Sequence, residues 1–281
     1  MRALEAVGAW PVRQAAAAVV DRRGPVDHVG PVELPFTLAS VTKPLSALAC
    51  LVAVEEGALD LDGPVEAHPG VTVRHLLAHA SGLAAERPRS VAKPGTRRIY
   101  SNAGYDVLGR EVERATGMHF ADYFRQAVAE PLGLAATTLD GSPASGARGS
   151  VADLGVVAQA LLTGGRIVHQ DTLAAATSVQ FPGLSGVLPG FGRQQHNDWG
   201  LGFEIRDAKA PHWTGGGNSP GTYGHFGRSG TFLWVDPAAG LACVVLTDRE
   251  FDEWAKQAWP ALSDAVLTEA RIDGVPSQID R

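Results

Sequence analysis

Hydrophobic residues change their spacing along the chain in a way that separates strand-forming from helix-forming segments. Residues 15–20 are apolar and precede a turn-forming sequence at residues 22–25, so the two flanking segments predict a β-hairpin. The apolar run at residues 44–54 predicts a long buried helix that begins at Ser40. From about residue 59 to residue 144 the pattern is mainly helical, with turns. The helices expected there cover residues 73–79, 105–115 and 120–128.

The second half of the chain returns to strand-like patterns after one more helix. That helix is expected at residues 151–162, and a Gly- and Pro-rich stretch follows at residues 181–200. A final helix is expected at residues 251–270, kinked or broken at Pro260, because proline has no N–H for the helical hydrogen bond. The strands expected in between cover residues 200–205, 222–227, 231–235 and 241–246, with a turn at residues 236–240.

This order of elements predicts an α+β fold, with an antiparallel sheet covered by the first and last helices and a helical part beside it. We divide the chain into a sheet subdomain of residues 1–58 and 145–281 and a mainly helical subdomain of residues 59–144. Together they are expected to form one domain. The loop at residues 181–198 is expected to lie as a flap over the cleft between the two parts.

The composition agrees with a globular protein. A chain of 281 residues with 45% hydrophobic content can bury a substantial core. The formal net charge of −6 gives no reason to expect a nucleic-acid or anionic-membrane partner. Cys50 and Cys243 lie within apolar runs, so we expect buried thiols rather than a disulfide or a metal site.

The N-terminal residues lack the uninterrupted apolar stretch of a secretory signal. No window reaches the roughly 18 apolar residues of a membrane span. We therefore expect a cytoplasmic protein without a membrane partner; the alternative is a mature form from which a signal has been removed. No cofactor is expected, and the pattern does not indicate an oligomeric state.

Ser40 and Lys43 stand three residues apart at the start of the apolar helix, which puts their side chains on one helix face. A lysine whose pKa is lowered by burial can take the proton of a serine, and a helix N-terminus favours an oxyanion. The structural alternative is a serine that caps the helix beside an exposed lysine. Ser90 and Lys93 have the same spacing in a Pro- and Gly-rich loop and provide an internal control.

Two further segments carry groups that suit acyl-transfer chemistry. Tyr100 and Asn102 lie between a Pro-Gly loop and a helical pattern, where a phenol can pass on a proton and an amide can hold a carbonyl. The alternative for Tyr100 is that it anchors the loop. Residues 223–230, Tyr-Gly-His-Phe-Gly-Arg-Ser-Gly, precede a predicted strand, and their glycines allow close approach to the backbone.

Together these segments resemble the penicillin-recognising serine hydrolases, which include class C β-lactamases, D-alanyl-D-alanine carboxypeptidases and related esterases. That family carries S-x-x-K, Y-x-N and then K-T-G or H-x-G, which read here Ser40 to Lys43, Tyr100 to Asn102 and His225 to Gly227. The resemblance extends from about residue 36 to about residue 247. It implies a β-lactamase/transpeptidase-like fold with the site between the subdomains. Further similar stretches are residues 73–83, 129–134, 150–154 and 199–203.

The resemblance also implies a role for each residue. Ser40 is the expected nucleophile, Lys43 its base partner and Tyr100 the carrier of protons. Asn102 is expected to hold the acyl side of the substrate. The backbone N–H groups of Ser40 and Arg228 are expected to form the oxyanion hole. The other substrate-binding positions of the third motif are His225, Phe226 and Gly227.

The third motif departs from the β-lactamase form, in which Lys and Thr side chains help to hold the substrate carboxylate. His225 is largely neutral at pH 7 and Phe226 cannot donate a hydrogen bond, so the motif does not favour penicillin hydrolysis. Arg228 either replaces the missing cation or points to solvent. We therefore expect a serine hydrolase of small carboxylic esters, with weak β-lactamase or amidase activity as a secondary possibility.

Three alternatives remain open at this stage. An acyltransferase differs only in which nucleophile reaches the acyl-enzyme first. A D-alanyl-D-alanine peptidase or β-lactamase differs in its substrate. A catalytically idle β-lactam- or peptide-binding module belongs to another class of protein, and the intact motifs argue against it.

His75 and His79 are four residues apart, as two zinc ligands on a helix could be. The glutamate of the zinc-protease signature is absent, and the sequence indicates no third ligand. We expect both to make hydrogen bonds around the helix end near residue 82, without a metal. The tryptophans near the predicted strands are expected in the core, with an acyl-pocket lining as the alternative; they are Trp199, Trp213 and Trp234.

Overall fold

An antiparallel sheet of six strands runs through the part of the chain that the structure describes, residues 1–272. The structure is a computed structural model. The strands are β1 (Ala15–Asp21), β2 (Gly24–Val29), β3 (Phe36–Thr37), β4 (Thr138–Leu139), β5 (Ala147–Gly149), β6 (Gly186–Leu188), β7 (Gly192–Gln194), β8 (Glu204–Ile205), β9 (Tyr223–Gly227), β10 (Thr231–Asp236) and β11 (Leu241–Thr247). The main sheet has the order β2-β1-β11-β10-β9-β8.

The helices surround this sheet and form most of the insert between β3 and β5. They are α1 (Thr42–Glu55), α2 (Val73–Leu77), α3 (Asn102–Thr116), α4 (Phe120–Phe124), α5 (Glu130–Leu132), α6 (Val151–Thr163), α7 (Gln170–Ala176) and α8 (Glu253–Ile272). A π-helical turn, Arg125–Ala129, joins α4 to α5. Single 3₁₀ segments cover Arg2–Ala9 and Ala39–Val41.

The two faces of the sheet are buried in two separate hydrophobic cores. Ala16, Ala18 and Val20 of β1 face one core, and Ala17 and Val19 face the other, as the strand period of two requires. The α8 helix and the N-terminal 3₁₀ segment cover the second face. The first face is covered chiefly by α6, whereas α1 packs against α3 and reaches the sheet at β9.

The predicted architecture is thus confirmed, with one change in which helix covers the sheet. We expected the first helix in that place, and α6 occupies most of it. The reason is that α1 is apolar on all sides and is buried between the sheet and the helical insert. The subdomain boundaries at residues 58 and 144 stay a prediction. Residues 273–281 of the predicted sheet subdomain lie outside the described residues.

Several element boundaries differ from the expectation. The α8 helix continues through Pro260, because Trp259, Leu262 and Val266 on both sides of it are buried against the sheet. The α2 helix ends at Leu77, and the strand expected at residues 200–205 is reduced to β8. The helix expected at residues 120–128 continues through the π-helical turn to the end of α5.

Cys50 and Cys243 are buried free thiols, as predicted. Among residues 1–272, no helix combines the length and the apolar character that crossing a membrane requires.

Candidate active site

Ser40 lies in the short 3₁₀ turn that connects β3 to the buried helix α1. Ala39 precedes it with a left-handed φ of 46°, which turns the chain sharply at this point. Ser40 is partly buried and lines a cavity of about 510 Å³. The predicted position at the start of the apolar helix is therefore correct, although Val41, not Ser40, occupies the N-cap of α1.

Lys43 is buried in the first turn of α1. Its Nζ lies 3.3 Å from Ser40 Oγ, 2.7 Å from Asn102 Oδ1 and 2.9 Å from the Ala144 carbonyl oxygen. Burial lowers the pKa of Lys43 to about 7, and the nearby carboxylates of Glu86 and Asp106 oppose this shift only in part. The amine is therefore neutral in about half of the molecules near pH 7.

Tyr100 closes the other side of Ser40. Its hydroxyl donates a hydrogen bond to Ser40 Oγ at 2.6 Å, and Lys43 Nζ lies 4.6 Å from the centre of its ring. Burial raises the pKa of Tyr100 well above its usual value, although the bond to Ser40 lowers it slightly. The phenol consequently keeps its proton at neutral pH. The serine oxygen thus lies between an amine and a phenol.

Asn102 is the first residue of α3 and joins Lys43 to an acidic side chain. Its Oδ1 accepts from Lys43 Nζ, and its Nδ2 donates to Glu86 Oε1 at 3.0 Å. Glu86 lies in the loop before the Ser90 segment and lines the same cavity. Sequence reasoning missed Glu86, because nothing in its spacing links an exposed loop carboxylate to a residue sixteen positions later.

His225 of β9 lies in the cavity wall beside Tyr100 and Trp199. Its Nδ1 lies 2.6 Å from the Phe226 carbonyl oxygen, so Nδ1 carries the proton and Nε2 is an acceptor. The buried Nε2 has no hydrogen-bond partner among the described residues. Burial, reinforced by the charge of Lys43, lowers the pKa of His225 to about 3. The expectation of a neutral imidazole agrees with this geometry.

Phe226 and Gly227 continue β9 past the site. The Phe226 ring packs in an aromatic cluster, 5.1 Å from Phe251 and 5.8 Å from Trp213 between ring centres. A Cβ on Gly227 would come within 2.4 Å of the Leu38 carbonyl oxygen. Only glycine therefore lets this strand edge approach the Ser40 turn.

Arg228 lies at the rim of the cavity with a largely exposed side chain, 82% accessible. Its guanidinium is 3.5 Å from the carboxylate of Glu250. Of the two orientations left open, the structure has the one directed towards solvent. The backbone N–H of Arg228 has no acceptor within residues 1–272.

The cavity is walled by aromatic residues and by the tip of the predicted flap. Leu188, Pro189 and Gly190 belong to the β6-β7 hairpin, which is the structured part of residues 181–198. Trp199, Trp213 and Trp234 are all buried in the second core, and of the three Trp199 also lines the cavity.

A buried charged cluster behind the cavity was also missed. Glu204 lines the cavity and contacts Lys209, His212 and Trp213. Burial alone would raise the pKa of Glu204, but Lys209 and His212 lower it to about 2. These charges compensate one another, and no spacing rule in the sequence links them.

His75 and His79 have structural contacts that differ from those expected. His75 Nδ1 accepts from the backbone N–H of Thr72 and closes a capping box at the start of α2. His79 Nδ1 accepts from the backbone N–H of Ser101 at 3.1 Å, and its ring packs against Tyr100. Neither side chain bonds to Ser81 or Gly82, although the backbone of both histidines makes hydrogen bonds at the end of α2. Within residues 1–272, no group of three or more His, Cys, Asp or Glu side chains could hold a metal ion.

The internal control, Ser90, lacks the surroundings of Ser40. It is exposed, and its hydroxyl donates to the Ala92 carbonyl oxygen. Lys93 is also exposed, with no hydrogen bond to Ser90 in the described residues. The same spacing therefore gives a lysine–serine contact at only one of the two segments.

The sheet, the helical insert and the cleft with its serine, lysine and tyrosine define a β-lactamase-like serine hydrolase fold. The model of the Beta-lactamase family matches residues 9–267, and the chain belongs to that family. A solved β-lactamase structure from Mycobacterium bovis is 56% identical, with a TM-score of 0.93, over 95% of this chain and 99% of that one. The predicted β-lactamase/transpeptidase-like fold is thereby confirmed.

Esterase EstB of Burkholderia gladioli is 37% identical over 35% of this chain and 37% of its own length. Its alignment and that of the next curated relative span about a third of each relative's length. Simvastatin synthase of Aspergillus terreus, as a mutant form, has a TM-score of 0.78 at 19% identity, covering 96% of this chain and 93% of that one. This last likeness concerns the fold alone.

Proposed function

We propose that the protein hydrolyses small carboxylic esters through an acyl-Ser40 intermediate. The observation that carries this proposal is the position of Ser40 Oγ, 3.3 Å from Lys43 Nζ and 2.6 Å from the Tyr100 hydroxyl. A serine hydroxyl becomes a useful nucleophile when a neighbouring base can take its proton. Lys43, with its pKa near 7, is such a base at physiological pH.

The contacts of Lys43 account for the direction of proton transfer. A neutral amine donates two hydrogen bonds and accepts one. Asn102 Oδ1 and the Ala144 carbonyl oxygen take the two donors, which leaves the lone pair for the Ser40 hydroxyl. As Ser40 Oγ bonds to the ester carbonyl carbon, its proton passes to Lys43.

The reaction is completed by proton return and hydrolysis. The bond from the carbonyl carbon to the alcohol oxygen breaks, and the leaving oxygen receives a proton from Tyr100, which is replenished from Lys43. Water then adds to the acyl carbon, gives up its proton by the reverse route, and releases the acid with Ser40 restored. The backbone N–H groups of Ser40 and Arg228 hold the oxyanion, and each such donor stabilises the transition state by about 2.7–4 kcal/mol.

The cavity favours esters over penicillins. His225 is a neutral acceptor, Phe226 is part of an aromatic cluster, and Arg228 is engaged with Glu250. A substrate carboxylate would therefore lack the cation and hydroxyl that the Lys-Thr form of the motif supplies. Because the 56% identical Mycobacterium bovis protein is described as a β-lactamase, we keep slow β-lactam hydrolysis as a secondary activity.

The test compares Ser40→Ala with the matched control Ser90→Ala on p-nitrophenyl butyrate. Ser40→Ala should lower kcat by three orders of magnitude or more, on the order of the loss typical of a removed nucleophile, while Ser90→Ala should retain nearly full activity. Equal losses in the two variants would refute the assignment of Ser40.

Intact-protein mass separates the alternative functions. An enzyme gains and then loses the acyl group, whereas an idle binding module gains no mass. An added alcohol separates hydrolase from acyltransferase, since a transferase forms the new ester in preference to the free acid. A new ester as the main product would replace the hydrolase proposal with acyl transfer.

A further inference from the structure

Glu86 places a carboxylate at the mouth of the cavity, next to the residue expected to hold the acyl side of a substrate. Its Oε1 accepts from Asn102 Nδ2, while Oε2 has no partner among the described residues. The side chain is exposed and lines the same cavity as Ser40. Single hydrogen bonds connect Ser40 through Lys43 and Asn102 to Glu86, so the carboxylate lies on the Asn102 side of the cavity.

No cation in the described part of the chain neutralises this carboxylate by an ion pair. Arg87 and Arg89 follow Glu86 in the loop, but neither lines the cavity or pairs with Glu86. Arg228 is the one arginine among the cavity-lining residues described, and its partner is Glu250. Lys43 is buried behind Asn102. The Glu86 carboxylate is therefore opposed only by the buried Lys43 amine across Asn102, and no ion pair in the described residues covers it at the cavity mouth.

A second, independent feature of the cavity also favours a positively charged ligand. His225 is 97% buried, and its unpartnered Nε2 is an acceptor, because Nδ1 donates to the Phe226 carbonyl. The cavity walls include the aromatic rings of Trp199 and Phe251. Aromatic faces attract ammonium groups and do not attract carboxylates.

We propose that the cavity beside Glu86 and Asn102 is a subsite for an ammonium group, so that the preferred substrates are esters or amides of acids that carry a cationic nitrogen. The inference rests on the proposed function, since Glu86 can select the acyl group only if that group is transferred to Ser40. Because Glu86 is exposed, solvent screens the charge pair; at about 5 Å and an effective dielectric constant of about 50, the pair is expected to change kcat/KM by roughly tenfold.

Two p-nitrophenyl esters that differ only in charge provide the test. One is the ester of 4-(trimethylammonio)butyric acid, and the other is the ester of 5,5-dimethylhexanoic acid, in which carbon replaces the nitrogen. The quaternary nitrogen cannot attack its own ester. The unmodified protein should show a kcat/KM about tenfold higher for the cationic ester.

Variants assign the preference to Glu86. Glu86→Gln keeps an acceptor for Asn102 but removes the charge, so the ratio of the two kcat/KM values should fall to about one, and Glu86→Lys should reverse it. Glu130→Gln is the matched control, because Glu130 is exposed, pairs with Arg125 and does not line the cavity. The ratio of the two kcat/KM values for Glu130→Gln should equal the ratio for the unmodified protein.

The outcomes separate this inference from the proposed function. Ser40-dependent hydrolysis of both esters without a preference for the cation would overturn the inference and leave the hydrolase proposal intact. A preference that persists in Glu86→Gln would overturn the assignment to Glu86. If neither ester were hydrolysed in a Ser40-dependent way, both the inference and the proposed function would be wrong.

Discussion

The lowered pKa of Lys43 makes a quantitative prediction for the pH dependence of ester hydrolysis. Only the neutral amine can accept the Ser40 proton, so kcat/KM should follow the neutral fraction of Lys43. With a pKa of about 7, that fraction is about a tenth at pH 6 and about nine-tenths at pH 8. We therefore expect kcat/KM to rise about tenfold from pH 6 to pH 8 and then to level off.

Other groups at the site should not obscure this profile. Burial raises the pKa of Tyr100 far above the range and lowers that of His225 to about 3. The pKa of His79 is likewise well below its usual value because of burial. None of these three side chains is therefore expected to change its charge between pH 6 and pH 9.5.

The assay measures initial rates of p-nitrophenyl butyrate hydrolysis at substrate concentrations well below KM, from pH 5.5 to pH 9.5. Rates with Ser40→Ala at each pH are subtracted to remove hydrolysis by hydroxide. If Lys43 kept the ordinary lysine pKa of 10.5, kcat/KM would continue to rise about tenfold per pH unit above pH 8. Such a continued rise would refute the reasoning, whereas a plateau near pH 8 supports it.

Two further predictions concern stability and substrate preference. The pKa of Lys43 is lowered on folding, so the unfolded chain binds more protons between about pH 7 and pH 10.5, and stability should rise with pH in that window by about 1.4 kcal/mol per unit. The free energy of unfolding, measured with urea at pH 7.5 and 9.5, should therefore increase by about 2–3 kcal/mol more in the unmodified protein than in Lys43→Met. An equal increase in the two proteins would contradict the lowered pKa of Lys43. Benzylpenicillin should give a kcat/KM about ten to two hundred times lower than p-nitrophenyl butyrate, because its carboxylate finds no cation. A preference for benzylpenicillin would instead indicate that Arg228 holds the carboxylate, which Arg228→Ala would test.

Local spacing predicted those parts of the fold that depend on neighbours in the chain. The β1-β2 hairpin, the buried α1 helix and the β10-β11 pair were recognisable from apolar runs and turn residues. Of the kink or break expected at Pro260, the break was wrong, because burial on both sides of the proline holds α8 together; the kink stays a prediction. The 3₁₀ segment Arg2–Ala9 was not predicted, because it packs against α8 at the other end of the chain.

The candidate active site also has features that the sequence predicted and features that it did not. The sequence predicted the contact between Ser40 and Lys43 from their spacing of three residues before a long apolar helix, although the same spacing gives no such contact between Ser90 and Lys93. The order of the three motifs also gave the family, which the match over residues 9–267 confirms. The roles of these residues stay proposals that the variants above are designed to test.

Only the tertiary structure decided how the surroundings tune these residues. Ser90 and Lys93 share the spacing of Ser40 and Lys43 but are exposed, whereas burial under Asn102 and Ala144 lowers the pKa of Lys43 to about 7. The Glu86 carboxylate and the free lone pair of His225 likewise depend on groups that come together from distant segments. The physical reason is that burial and charge are properties of three-dimensional surroundings, which residue spacing along the chain does not encode.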